Sequence, residues 1–173
     1  MTDSDYDILS EFSCGEDELD DFFRHEVKEC VDRHYLSAYC VTHTGGEIIA
    51  LFTLMNDALM ITSHTEKSDF ISDLRLYTDT NAVDFFKLQS SYPAINIGHL
   101  GTSSKYQNMG IGTTIIDLVI ETFSNYKQAG CQFVTVDSIN KPRTTAFYCR
   151  NGFSFQTSKD AYSPTRRMYR ILN

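Results

Sequence analysis

Near the start of the chain Leu19, Phe23, Val27, Cys30 and Val31 recur at helical spacing, with acidic and polar residues between them. Ser13 and Glu16 precede that run with the spacing of a capping box, so the pattern predicts an amphipathic helix over about residues 16–33. Tyr35–Thr42 and Ile48–Met55 are rich in β-formers and flank His43-Thr44-Gly45-Gly46, which predicts an antiparallel hairpin. Periodicity is weak from Asn56 to Ser91, where only Thr80–Leu88 reads as a short helix. Pro93 then opens a strand through Thr102 that contains Gly98 and Gly101; glycine weakens a strand interior, so two of them point to close backbone approach, a bulge or a ligand. A helix carried by Ile116, Val119, Ile120 and Phe123 follows. After it come a buried strand over Gln132–Asp137, a short helix over Arg143–Arg150 and strands over Phe153–Gln156 and Arg167–Leu172. Gly152 sits where a helix C-terminal glycine belongs. The fold class is α/β, a mixed sheet flanked by helices. No linker, repeat or low-complexity tract interrupts it, so a single domain over residues 1–173 is expected.

Composition narrows the class. The chain has 173 residues, 42% of them hydrophobic and 13% aromatic, which suits one packed domain and excludes disorder of the whole chain. No apolar run approaches the ~20 residues that span a bilayer. The first ten residues are acidic and polar, unlike a secretory signal, so a cytoplasmic protein without membrane contact is expected. Five cysteines without a CxxC pair suit reduced thiols; Cys40 and His43 read as core packing, and no metal is expected. Net charge is −8 and unevenly spread: residues 1–29 carry eleven acids and two bases, and the chain from Gly101 onward carries nine bases and four acids. Tight binding to bulk nucleic acid is disfavoured by that balance.

The strongest local feature is Gln107-Asn108-Met109-Gly110-Ile111-Gly112, set between a strand and a helix. A glycine-bearing turn there lets successive backbone N–H groups face one cavity, and the helix N-terminus adds partial positive charge. The result is an anion site of pyrophosphate size. It is not a nucleoside-triphosphate loop, because no Gly-Lys-Ser/Thr closes it, and it lacks the Gly-x-Gly-x-x-Gly dinucleotide fingerprint. The same glycines also suit a tight strand-to-helix turn with no ligand.

The stretch LGTSSKYQNMGIGTTII resembles the acetyl-CoA motif of the GNAT superfamily of N-acetyltransferases, written Q/R-x-x-G-x-G/A. VDSINKPRTTAFYCRNGFSF is similar to that superfamily's later strand–helix–strand unit, and the two blocks cover roughly residues 95–155. FSCGEDELDDFF and GGEIIALFTLM look similar to the start of the branch that includes bacterial toxins acetylating charged tRNA. The resemblance implies a GNAT-like acyl-CoA N-acyltransferase fold, with a central mixed sheet splayed around the coenzyme. It also implies acetyl-CoA as cosubstrate, an amine as acceptor and direct transfer between them.

Residue by residue, the resemblance implies pantetheine pairing along Leu100, Gly101 and Thr102. It puts the pyrophosphate on the amides of Gln107, Asn108, Met109, Gly110, Ile111, Gly112 and Thr113. Asn108 stands where many relatives have glycine, and asparagine tolerates left-handed geometry; Ser104 stands where many have proline. Tyr148 matches the tyrosine that protonates the departing sulfur. Asn140 and Arg143 are implied coenzyme contacts, with Lys141 beside them; Asn140 lies one residue further from the tyrosine than is usual. A strand N–H near Leu100 would hold the oxyanion. His99 is the candidate proton acceptor, because imidazole titrates near neutrality, and Glu47 is a weaker one. Cys149 reads as a buried thiol rather than a nucleophile. The acidic first helix favours a cationic amine. Left open beside this reading are a toxin-type enzyme acting on aminoacyl-tRNA, an acyl-CoA-binding module without turnover, a purely structural protein, and a homodimer.

Overall fold

The helical pattern at the start of the chain is realised in pieces. The computed structural model describes Met1 and residues 3–74 and 80–172, with the side chains of residues 3–4 and 80–82 left aside. Helix α1 (Asp3–Asp7) and a 3-10 turn (Leu9–Glu11) precede α2 (Asp17–Asp21), a π-helical turn (Phe22–Glu26) and α3 (Val27–Asp32). Strands β1 (Ser37–Thr42) and β2 (Ile48–Met60) follow, then α4 (His64–Leu74), α5 (Thr80–Lys87) and β3 (Ser91–Thr102). A 3-10 turn (Ser104–Tyr106) leads to α6 (Ile111–Ser124), β4 (Phe133–Ile139), α7 (Pro142–Arg150), β5 (Ser154–Phe155) and β6 (Thr165–Ile171). The strands form one six-stranded sheet in the order β1-β2-β3-β4-β6-β5. β1 runs antiparallel to β2, β3 parallel to β4, and β6 antiparallel to both β4 and β5. The expected mixed α/β sheet is therefore present. Among the described residues no helix is long and apolar enough to cross a membrane.

The chain divides into two compact units, Met1–Met55 with Ile97–Leu118 and Asn56–Asn96 with Val119–Asn173. In the first, Phe12, Phe23, Val27, Leu36 and Leu51 form a buried core, and Phe23 meets Phe12 edge-on at 5.9 Å. Burying each such side chain contributes roughly 1.5–3 kcal/mol, which is why the helical stripe is held in place despite the break at Phe22–Glu26. The capping box is a correction. Glu16 itself is the N-cap, and the Ser13 hydroxyl donates to the Asp20 carboxylate at 2.6 Å. The carboxylate seven residues along orients that hydroxyl, whose oxygen accepts the Gly15 N–H at 3.2 Å instead of a helix N–H. The predicted antiparallel hairpin is present, with Ser37 opposite Leu54 and an irregularity at Val41/Thr42.

In the second unit the core is aromatic: Phe70, Phe86, Tyr92, Phe133 and Tyr169 pack with centroids 5.1–6.5 Å apart. The sequence left α4 unread because its polar residues outnumber the three buried ones, Phe70, Ile71 and Leu74. Residues 75–79 of that stretch lie outside the described residues. Helix α7 closes as predicted on Gly152, whose φ of +77° a side chain would resist. The Phe153 N–H returns to the Tyr148 carbonyl at 3.1 Å.

Candidate functional site

In the first unit the backbone turns sharply between β3 and α6. Asn108 has φ +62° and Gly110 φ +83°, so two residues of the Gln107–Gly112 turn lie in left-handed space. A Cβ at Gly110 would meet nothing within 4 Å, so its glycine answers to backbone geometry and not to crowding. Asparagine accepts that geometry at Asn108, as expected from its short side chain. Helix α6 makes its first backbone bond from Thr114 N–H to the Gly110 carbonyl, at 3.0 Å. The N–H groups of Ile111, Gly112 and Thr113 precede that bond and have no intrahelical acceptor, so they point out of a 14-residue helix into its solvent-exposed mouth. No acidic side chain stands in that first turn. This geometry fits a pyrophosphate held by main-chain donors.

The turn is tied down from one side. The Gln107 side chain points away from the mouth and donates to the Cys14 carbonyl at 2.7 Å. Ser104 donates to the Ser13 carbonyl through its N–H (2.9 Å) and its hydroxyl (3.1 Å). Gly101 answers the puzzle of a glycine inside a strand: a Cβ there would stand 3.4 Å from Cys14 and Leu19. Close approach of backbone to the N-terminal segment is therefore the reason for this residue.

A cleft of about 570 Å³ borders the same segment, lined by Glu11, Phe12, Ser13, Gly46, Glu47 and Lys105 among others. Glu47 is committed there: Lys105 Nζ stands 2.5 Å from one oxygen, and the Tyr106 hydroxyl donates to the other at 2.8 Å. Those bonds hold its carboxyl below the usual range, which makes it a poor base.

His99 is half-buried on β3. Its ring stacks on Phe22 at 3.6 Å and 11°, and Nδ1 lies 3.0 Å from the Thr53 hydroxyl. Burial pushes its pKa down to about 4, so the titration near neutrality expected from its residue type is not what its surroundings allow. The ring is neutral at pH 7 and offers a hydrogen bond rather than a sink for a proton. The π-helical turn carries the Phe22 that packs on it; neither the turn nor the stack has a signature in single-sequence periodicity.

In the second unit Tyr148 is buried on α7, edge-on to Phe147 at 5.1 Å and to Phe153 at 5.4 Å. Burial pushes its phenol up to about 12, so it is fully protonated at neutral pH. Asn140 is differently employed than expected. Its side-chain N–H groups donate to the carbonyls of Ala161 and Ser163, both at 2.9 Å, while its backbone N–H bonds Pro164. It ties down the loop before β6, which uses up the amide donors a coenzyme would need. Lys141 is the N-cap of α7 and Arg143 lies exposed in the first turn. Cys149 is exposed, correcting the buried thiol expected; it sits one residue past Tyr148, about 100° further round the helix.

Two clusters in this unit were missed. Asp57 on β2 pairs with Arg167 and accepts from the Thr135 hydroxyl, and Arg167 also reaches Asp137 at 2.7 Å. Lys67 donates to Tyr92 and to the Gln89 carbonyl, with its ammonium 4.7 Å over the Tyr92 ring. Each joins residues far apart in the chain, so no local spacing announces it.

No family model matches the chain, and no curated protein matches its sequence. Solved structures do match its fold. AtaTR bound with acetyl-CoA aligns with TM-score 0.72 at 20% identity, covering 98% of this chain and 89% of that one. A tyrosine-to-phenylalanine mutant of KacT aligns at 0.69 and 18%, covering 95% and 87%. AtaT complexed with acetyl-methionyl-tRNAfMet aligns at 0.68 and 19%, covering 95% and 88%. At such identity the likeness establishes architecture: the chain has the GNAT fold of these proteins.

Proposed function

We propose that the protein is an acetyl-CoA-dependent N-acetyltransferase that passes its acetyl group directly to a primary amine. The observation that carries this reading is the turn from Gln107 to Thr113: two left-handed residues and the outward N–H groups at the start of α6 suit a pyrophosphate. In this reading the main chain of Leu100–Thr102 pairs with the pantetheine arm, and an N–H near Leu100 receives the developing oxyanion. The amine nitrogen forms a bond to the acetyl carbon as the carbon–sulfur bond breaks, and Tyr148 gives its proton to the sulfur. The proton lost by the amine leaves through water hydrogen-bonded to the neutral His99 ring. Arg143 supplies a charge for a coenzyme phosphate, and Asn140 positions the neighbouring loop.

A second, narrower reading makes the acceptor the α-amine of an aminoacyl-tRNA. It is favoured by the complex of AtaT, a protein of the same fold, with acetyl-methionyl-tRNAfMet. Both readings are tested together. Coenzyme A should raise the melting temperature in proportion to the logarithm of its concentration, and labelled acetyl-CoA should acetylate one member of a panel of polyamine, lysine peptide and aminoacyl-tRNA. No shift at millimolar coenzyme A would overturn both. Binding without transfer to any amine would point instead to an acyl-CoA-binding module.

A further inference from the structure

We propose that Asp20 is a positioning residue for coenzyme binding, acting from the back of the turn that holds the pyrophosphate. The inference rests on the coenzyme reading of that turn. Asp20 is a buried carboxylate, 4% exposed, on an acidic helix whose Asp17, Glu18 and Asp21 are exposed. Its Oδ1 accepts the Cys14 N–H at 2.8 Å and its Oδ2 the Ser13 hydroxyl at 2.6 Å, with Arg24 3.8 Å away. Burial alone would raise its pKa; the bonds from Cys14 and Ser13 and the charge of Arg24 outweigh that and hold the group ionised. Asp20 thereby fixes the conformation of Ser13 and Cys14, whose carbonyls accept from Ser104 and Gln107.

Those two carbonyls are the anchors of the loop. Cys14 receives Gln107, the first residue of the proposed anion site, and Ser13 receives both donors of Ser104. Gly101 lets β3 come within a Cβ's reach of the same segment. One buried carboxylate on α2 is therefore two hydrogen bonds away from the anion-binding amides. A carboxylate held by two hydrogen bonds and a nearby guanidinium is a stiff support, whereas an exposed turn with two left-handed residues is soft. Withdrawing the charge should loosen the amides without touching the coenzyme.

The test is isothermal titration of the full chain with coenzyme A, alongside melting temperature without ligand. Asp20→Asn should weaken binding about tenfold and Gln107→Ala by a similar factor. The double variant should be no weaker than the worse single one, because both act through the Ser13–Cys14 turn. Asp20→Glu, which keeps the carboxylate, should recover at least half of the loss on a logarithmic scale. Multiplying effects, or an Asp20→Asn variant with a lowered melting temperature and unchanged affinity, would overturn the proposal. If Asp20→Asn does not fold, Gln107→Glu carries the same test: it swaps the donor facing the Cys14 carbonyl for an acceptor, and unchanged affinity would refute the link from the Ser13–Cys14 turn to the amides. Wild-type protein that ignores coenzyme A overturns the coenzyme reading instead, a separate outcome.

Discussion

Replacing Tyr148 by phenylalanine removes one oxygen and leaves the ring packed between Phe147 and Phe153, so the fold should persist. The phenol's pKa of about 12 sets the size of the effect. A free thiolate has a pKa of about 8.5, so complete transfer from Tyr148 to sulfur would be uphill by about 3.5 units, or about 5 kcal/mol. Burial of the sulfur raises its own pKa and closes part of that gap, so the proton moves as the carbon–sulfur bond opens, not before. A hydrogen bond to a charged group contributes about 1.5–3 kcal/mol, and general acids typically contribute ~10²–10⁴-fold. We therefore expect Tyr148→Phe to lower kcat ~10²–10³-fold while the Kd for acetyl-CoA changes less than about threefold. Single-turnover release of coenzyme thiol with a working acceptor measures the first quantity, and titration calorimetry the second. A variant retaining more than about a third of the rate refutes the role, since even one charge-assisted hydrogen bond exceeds that. The alkaline side offers a second check. A folded pKa raised from 10 to about 12 keeps the phenol protonated below pH 10, so a limb near pH 8–9 lost on mutation would contradict the burial.

Asn108→Val should weaken coenzyme A binding, because a β-branched residue at φ +62° costs roughly 1–2 kcal/mol, whereas Asn108→Gly should bind within about threefold of wild type; equal affinities for both would show that the left-handed geometry is dispensable. His99 is held well below its ordinary pKa, so its contribution to stability is full above pH 6.5 and is lost as pH falls to about 4. Discounted for partial exposure, the loss is about 2 kcal/mol, and a denaturation series in which His99→Gln shows the same acid loss as wild type would refute it. Ellman's reagent should label Cys149 rapidly in the native protein and Cys14, buried with a pKa of about 12, only after unfolding; a fast phase of the same amplitude in Cys149→Ser would place the exposed thiol elsewhere.

What the sequence disclosed and what it hid divide along physical lines. The hairpin, β3, α6 and α7 were readable because each is defined by neighbours two to four positions apart, and Gly152 closes its helix by a rule local to the last turn. The sharp turn at Gln107–Gly112 was readable for the same reason. α4 was not, because its buried face spans only three side chains, and the capping box failed because Asp20 competes for Ser13 through space. Asn140 was assigned to the coenzyme by position; its two bonds to the loop at Ala161 and Ser163 depend on where the chain returns twenty residues later. The pKa of His99 is set by burial against residues distant in sequence, Phe22 before the hairpin and Thr53 on β2, so its residue type alone misleads.

That pKa bears on which amine suits the site. In the transfer proposed above, a His99 held near pKa 4 is too weak a base to take a proton from an alkylammonium ion, which favours an acceptor that arrives neutral. At pH 7.5 a lysine-type amine of pKa about 10.4 is neutral in about one molecule per thousand, and an α-amine near 7.7–8.0 in about one in three. The difference is several hundredfold in competent acceptor. Charge argues the other way for a tRNA, because residues 1–29 carry nine more acids than bases. Arg166, Arg167 and Arg170, three of the nine bases after Gly101, are moreover bonded to Asp160, Asp57 and the Asn151 carbonyl. Exposed charges, however, are screened over about 8 Å at physiological salt, while the proton cost attaches to every turnover at any salt. The chemical step therefore weighs more, and an α-amine, free or carried on an ester, fits a site with this histidine better than a lysine side chain or a polyamine does.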